Sequence, residues 1–295
     1  MSLILVSTMS WTLFQFMHVV VVFVLMVCLD GSGSTTRHVH VAENETDRLA
    51  MLAFKAQITV VGRENSSGAG FSKLKRLYIG RNKENSIGGD IPVDLGRLTN
   101  LEVFLLRMNS VFEVGVNLFT GSIPVSVSNA TKLQRLGLAG NKFTGKVPPL
   151  DNLHDLQLLN FHGNGLGAGE TDDLRFLYSL TNVTNLNVLD LSKNNFGGLL
   201  PESIGNLSTN LGKLILSNNE IVGIIPTGIR NLINLQFLDL PNNNFTGNIL
   251  ADIGKFQKLQ KLDLLDNMIY GDIPLSFGNL TVLTNLMLCN NNLHD

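Results

Sequence analysis

Apolar residues return along most of this chain in a 24-residue rhythm. The unit Leu235-x-x-Leu238-x-Leu240-x-x-Asn243-x-Phe245-x-Gly247-x-Ile249 recurs in the same frame from Leu259 to Ile273 and from Leu283 to Leu293. Alternation at Leu238 and Leu240 predicts a short strand with these side chains inward and their neighbours outward. The closing asparagines Asn117, Asn141, Asn164, Asn194, Asn219, Asn243, Asn267 and Asn291 are separated by 24, 23, 30, 25, 24, 24 and 24 residues. The step of 30 holds the Gly-rich and acidic stretch Gly163 to Asp173, expected as a loop inserted in one coil.

Strands at a fixed period stack into one long parallel sheet, after which the chain must turn. An asparagine suits that corner, because its amide both donates and accepts hydrogen bonds to backbone groups leaving the ladder. Gly-x-Ile-Pro follows at Gly121 to Pro124, Gly223 to Pro226 and Gly271 to Pro274; glycine permits close approach and proline ends a ladder. This self-similarity is the signature of leucine-rich repeats, in which each coil is stable only against its neighbours. The expected fold is an α/β leucine-rich-repeat solenoid over residues 71–295, with a concave parallel sheet and short helical or 3-10 segments and turns on the convex side.

The count fails at one place. Leu101-x-x-Phe104-x-Leu106-x-x-Asn109 and Phe112-x-Val114-x-x-Asn117 both read as strands closed by asparagine, yet only 8 residues separate the asparagines. Eight extended residues reach about 27 Å, too short for a circuit of the convex side. On this reading sixteen residues are missing, and the sheet is expected to be broken, bulged or offset within 106–117, with 71–109 more weakly held than 117–291.

The N-terminus carries an apolar run from Trp11 to Leu29, then Gly31-Ser32-Gly33-Ser34. Residues 1–34 read as a secretory signal peptide; the alternative is an N-terminal anchor, since the run approaches spanning length with no Lys or Arg before it. With cleavage, Cys289 alone remains of the two cysteines and no intrachain disulfide can form. Sequons at Asn44, Asn65, Asn129, Asn182, Asn206, Asn244 and Asn279 agree with export and a glycosylated exterior. Some of them arise from the repeat itself, as Asn206 and Asn279 do in Gly-Asn-Leu-Ser/Thr. The balance of 22 basic against 24 acidic residues gives no reason to propose nucleic acid as a partner.

Ile204-Gly-Asn-Leu207 and Phe277-Gly-Asn-Leu280 between the turns resemble plant-type extracellular leucine-rich repeats. Thr46-Asp-Arg-Leu-Ala-Met-Leu-Ala-Phe-Lys55 is similar to the helical N-terminal cap of plant receptor-like kinases, with positions 49, 52, 53 and 56 on one face of an expected helix 47–58. Gly169-Glu-Thr-Asp-Asp-Leu-Arg-Phe-Leu177 resembles the receptor-kinase group that includes immune receptors for bacterial patterns. The family's cap carries a tryptophan segment and a cysteine pair; residues 44–70 have neither, so this cap is incomplete. The chain stops at Asp295 inside a repeat, without a C-terminal cap, a membrane span or a kinase.

Chemical motifs are weak. Gly163-x-Gly165-x-x-Ala168 fits a loose dinucleotide pattern, but Asn164 is the repeat asparagine, so a loop is the better reading. His38-x-His40 has no further ligands near, the kinase signatures are absent, and no nucleophile and base stand out. No catalytic residue, cofactor or metal site is assigned, and the chain is not read as an enzyme.

Function belongs instead to the outward strand positions, found by counting back from each asparagine. The candidate ligand face is His162, Asp190, Lys213, Ile215, Phe237, Asp239, Lys261 and Asp263, with Leu158, Asn160, Val188, Ser192, Lys193, Ser217, Asn242 and Asp266 around it. Rungs about 4.8 Å apart would put Phe237 beside Lys261 and Asp239 beside Asp263, an apolar anchor among mixed charges. The resemblance implies a secreted or plasma-membrane recognition module that binds a peptide, protein or glycan there, with a receptor-kinase co-receptor as a further partner. Its rivals are a secreted inhibitor of a hydrolase and a truncated fragment of a Ser/Thr receptor-like kinase.

Overall fold

A computed structural model of the chain describes residues 74–80, 88–107 and 118–294. The signal segment 1–34, the cap 44–70, Asn44, Asn65 and Asn117 lie outside them. Among the described residues nine strands form one parallel sheet in sequence order: Arg76–Gly80, Val103–Arg107, Arg135–Gly137, Leu158–Asn160, Val188–Asp190, Lys213–Ile215, Phe237–Asp239, Lys261–Asp263 and Asn285–Met287. Leu136, Leu159, Leu189, Leu214, Leu238 and Leu262 sit at the strand centres and are at most 1% exposed. Behind them Phe143, Leu166, Phe196, Ile221, Phe245 and Ile269 complete the core, again at most 1% exposed. Short strands on the flank pair separately, three of them as Gly197–Leu199, Glu220–Ile224 and Asn244–Thr246.

The convex side is made of 3-10 turns. Val93–Arg97, Val125–Asn129, Glu202–Asn206, Thr227–Asn231 and Leu275–Asn279 each follow a proline in extended conformation. Proline's fixed φ sets the chain for the turn, and its missing N–H is no loss at a first turn. Coils stack closely here: a Cβ on Gly205 would lie 2.1 Å from the carbonyl oxygen of Gly228 in the next coil.

Each asparagine ties two coils together. Asn243 Nδ2 donates to the carbonyls of Leu240 (3.1 Å) and Pro241 (3.3 Å) in its own turn and of Leu216 (3.0 Å) in the coil before, while its Oδ1 accepts from Ile221 N at 3.1 Å. Asn164, Asn194, Asn219, Asn267 and Asn291 repeat the arrangement. The residues just before them, Lys193, Asn218, Asn242, Asp266 and Asn290, have φ between 51 and 56°, so they belong to the corner and not to the strand.

The sheet is continuous at this point among the described residues, and residues 108–117, most of the stretch where a break, bulge or offset is expected, lie outside them. Val103–Arg107 pairs on one side with Arg76–Gly80 and on the other directly with Arg135–Gly137, with Phe104 opposite Leu136. The hydrogen bonds explain the spacing. Asn141 Nδ2 donates to Leu106 O, three residues before Asn109, as Asn243 does to Leu216, three before Asn219. On the flank Lys142 N donates to Phe119 O, two residues past Asn117, as Met268 N does to Phe245 O, two past Asn243. The concave half of this coil is therefore counted from Asn109 and its flank from Asn117. The spacing of the described neighbours matches eight residues added to one coil rather than sixteen removed. The seam leaves a mark: the buried Oδ1 of Asn141 has no hydrogen-bond partner among the described residues, whereas its counterparts accept from the preceding coil.

The insert at Gly163 to Asp173 also differs from a simple loop. Gly165–Leu166 pairs with Thr144–Gly145 as an ordinary flank strand, and most of the added length lies in the convex turn Asp173–Asn182, ten residues against three to five in the other described turns. Leu174, Leu177 and Leu180 recur every three residues and are at most 2% exposed, which suits a 3-10 turn of three residues per repeat. Asp173 Oδ2 accepts from Ala168, Glu170 and Gly197 N–H groups at 2.9, 2.9 and 3.0 Å and pins the insert to the next coil.

Candidate functional site

The outward positions of the concave sheet fall in straight rows. One row runs Leu158, Val188, Lys213, Phe237, Lys261, Asn285; the next runs Asn160, Asp190, Ile215, Asp239, Asp263, Met287. Phe237 thus lies beside Lys261 and Asp239 beside Asp263. Lys213 Nζ sits 4.6 Å from the Phe237 ring centroid, a cation over an aromatic face.

Lys261 reaches across the rung. Its ammonium pairs with Asp239 and with Asp263 Oδ2 at 3.3 Å. Burial pulls the Lys261 pKa down, but the hydrogen bonds and charges of the two carboxylates outweigh it, and the group ends above the ordinary lysine value. Asp263 is 5% exposed and its Oδ1 accepts from Leu265 N, so it is committed to the protein and offers little to a ligand. Outward direction on a strand does not guarantee access, because a neighbour's long side chain can cover a short one.

At the other end of the face, His162, Ser192 and Asp190 form a hydrogen-bonded chain. Ser192 Oγ donates to Asp190 Oδ1 at 2.5 Å and lies 2.7 Å from His162 Nδ1, while the His162 and Ser192 amides are held by Asn160 Oδ1 and Asp190 Oδ1. Three residue types of a hydrolase come together, but in the wrong order. A nucleophilic serine needs the histidine between itself and the carboxylate; here the serine is in the middle, 3% exposed, with its proton given to Asp190. The chain fixes the orientation of His162 on the face.

Sequence reasoning passed over the row just before the strands. Gln157, Asn187, Gly212 and Gln236, with Asn185, Asn210, Asn234 and Lys258 one step further out, line a groove of about 470 Å³ along the edge of the concave sheet. Gly212 opens it, lacking a side chain where its neighbours carry amides. The signal was present in the repeat, at the position seven residues before each asparagine.

The other motifs are structural. Gly163 to Ala168 lies on the flank, where Gly165 pairs with Thr144 and a strand-to-helix turn is not formed. The carboxylates of Glu170, Asp172 and Asp173 come within 4.8 Å of one another, but Lys146 Nζ lies between Glu170 at 2.9 Å and Asp172 at 2.6 Å. Hydrogen bonding to Asp172 and then to Glu170 raises the pKa of Lys146, so two of the three carboxylates are already engaged by a cation. Cys289 is free and exposed. Asn129, Asn182, Asn206 and Asn279 each end a convex turn, and Asn244 opens a flank strand, so none of the described sequons lies on the concave sheet. Among the described residues no helix is long and apolar enough to cross a membrane.

Residues 185–207, 210–232, 234–256 and 258–280 each match the family model of the Leucine Rich Repeat. Receptor-like protein 39 of Arabidopsis thaliana is 34% identical over 187 residues, covering 56% of this chain and 20% of that protein. A probable leucine-rich-repeat receptor-like serine/threonine-protein kinase of the same plant is 57% identical over 96 residues, 32% of this chain and 10% of that protein. The chain therefore spans a fifth or less of these curated relatives. Among solved structures, the Arabidopsis receptor kinase HAESA in complex with the peptide hormone IDA and the co-receptor SERK1 superposes with a TM-score of 0.66 at 30% identity, over 77% of this chain and 35% of that one. PEPR1 with AtPEP1 gives 0.58 at 31%, over 75% and 32%. This chain is a leucine-rich-repeat solenoid whose relatives are plant receptor-like proteins and receptor kinases.

Proposed function

We propose that this leucine-rich-repeat solenoid is an extracellular recognition module that binds a peptide across its concave sheet. The observation that carries the reading is the Phe237 ring, partly exposed in a row with Lys213 and Lys261 and bordered by the amide-lined groove at Gly212. An aromatic anchor supplies desolvated contact area, and amides that both donate and accept suit a peptide main chain. Peptide-bound structures of similar receptors, HAESA with IDA and PEPR1 with AtPEP1, support the choice of ligand, and SERK1 in the former supports a co-receptor as second partner. The described sequons, all on the convex turns and flank, support export and leave the concave sheet uncovered. The test is to incubate the secreted chain with a pool of extracellular plant peptides and proteins, identify retained species by mass spectrometry and titrate each. Saturable one-to-one binding of a peptide is expected; retention of intact hydrolases alone, with no peptide, would replace this reading with the inhibitor.

A further inference from the structure

The flank sheet carries an apolar strip crossed by a sequon. Register places Leu199 beside Val222, Val222 beside Asn244, and Ile224 beside Thr246. On the far side Met268 N donates to Phe245 O and Tyr270 N to Gly247 O, the ladder pattern that sets Met268 beside Thr246 and Tyr270 beside Asn248. Leu199, Val222, Ile224, Met268 and Tyr270 are 65, 40, 56, 45 and 51% exposed, while the alternating Ile221, Phe245 and Ile269 fill the core. Contiguous exposed apolar surface on a soluble protein marks something that covers it. Here the two polar residues inside the strip, Asn244 and Thr246, are the acceptor and hydroxyl of Asn244-Phe245-Thr246. Asn244 is exposed and its amide has no hydrogen-bond partner among the described residues, so a substituent there breaks no such contact.

We propose that Asn244 carries an N-linked glycan whose first N-acetylglucosamine units lie over this strip, with their C–H faces on Val222, Ile224 and Met268. The inference rests on the export reading above. The donor is a polyprenyl-pyrophosphate oligosaccharide of the secretory route: the anomeric carbon bonds to Asn244 Nδ2, its bond to the phosphate oxygen breaks, and the amide proton is lost as the pyrophosphate leaves. A sugar is amphipathic, with apolar C–H faces and a polar rim, and so covers an apolar strip while keeping it wet at the outer surface. The sequons at Asn129, Asn182, Asn206 and Asn279 end convex turns instead and have no such strip across three strands.

The test uses the full chain secreted from eukaryotic cells. Glycopeptide mass spectrometry reads occupancy at each site, and the fluorescence of an apolar dye reads the strip. Asn244 is expected to be occupied, and Asn244→Gln to raise dye binding about two-fold or more while Asn279→Gln leaves it unchanged. If Asn244→Gln is not secreted, glycosidase digestion of the folded Asn279→Gln protein gives the same comparison, with dye binding expected to rise on loss of the Asn244 glycan. Glycans at the convex sequons with Asn244 bare, or equal dye binding with and without the Asn244 glycan, overturn this inference alone and leave the strip to a protein partner. A chain kept in the cytosol with every sequon bare overturns it together with the export reading.

Discussion

Replacing Asn243 with alanine tests the account of what holds the coils together. Nδ2 of Asn243 donates to three carbonyls, but Leu216 O also receives Asn219 Nδ2 at 3.0 Å and Leu240 O also receives Asn267 Nδ2 at 3.1 Å, so two of them keep a partner. The larger loss is at Oδ1. Ile221 is 0% exposed, and without Asn243 its N–H has no acceptor. An orphaned buried N–H costs about 1–3 kcal/mol and a lost hydrogen bond about 1 kcal/mol net, so Asn243→Ala should lower stability by roughly 2–4 kcal/mol. Asn141→Ala provides an internal control. Its Oδ1 accepts nothing among the described residues, no N–H is orphaned, and the expected cost is about 1 kcal/mol. Urea unfolding of the unglycosylated chain, with hydrogen exchange followed at the Ile221 amide, measures both. A cost for Asn243→Ala within about 0.5 kcal/mol of wild type, or equal to that of Asn141→Ala, would refute the argument.

Gly205→Ala should destabilise by about 2 kcal/mol or more, because its Cβ would meet the Gly228 carbonyl oxygen at 2.1 Å and separate two coils; thermal melting reads this. Deleting residues 110–117 restores a 24-residue step and should leave a folded protein with unchanged β content by circular dichroism, whereas collapse of the fold would show the eight residues to be part of a rung. Amides of Phe104 and Leu136, paired to each other's strands, should exchange at rates within about ten-fold, while much faster exchange at Phe104 would revive the broken sheet. Lys261 has its pKa raised in the fold, so its contribution is fully present below its unfolded value of 10.5 and is lost as pH rises through the folded value. Wild-type stability should therefore fall above about pH 10.5 more steeply than that of Lys261→Met, and parallel profiles would count against the Asp239 and Asp263 pairing.

The solenoid was legible because one constraint is written many times. A leucine pair such as Leu238 and Leu240, followed by Asn243, specifies strand, core and corner at once, and its period fixes which residues become neighbours, as with Phe237 and Lys261. The seam was ambiguous because Phe112-x-Val114-x-x-Asn117 copies the strand pattern, and a step of 8 is equally 24 less 16 or an addition of 8 to the neighbouring coil. Pairing of Phe104 with Leu136 decides between them, and that contact is distant in sequence. At the face, rows were legible and access was not. Asp263 points outward but is covered because Lys261 crosses to Asp239, a rotamer choice that periodicity does not carry. The amide groove depends on an absence, the missing side chain of Gly212, which stands out only once the amides either side are seen in register.

Affinity for a retained peptide, measured by titration against wild type, Phe237→Ala with Asp239→Ala, and the convex-turn control Lys255→Ala, tests recognition on the concave sheet most directly. The concave pair should lose more than about 1 kcal/mol, roughly five-fold or more in Kd, with the fold intact, and the control should bind as wild type does. Equal losses from both, or none from the concave pair, would contradict a site on this face.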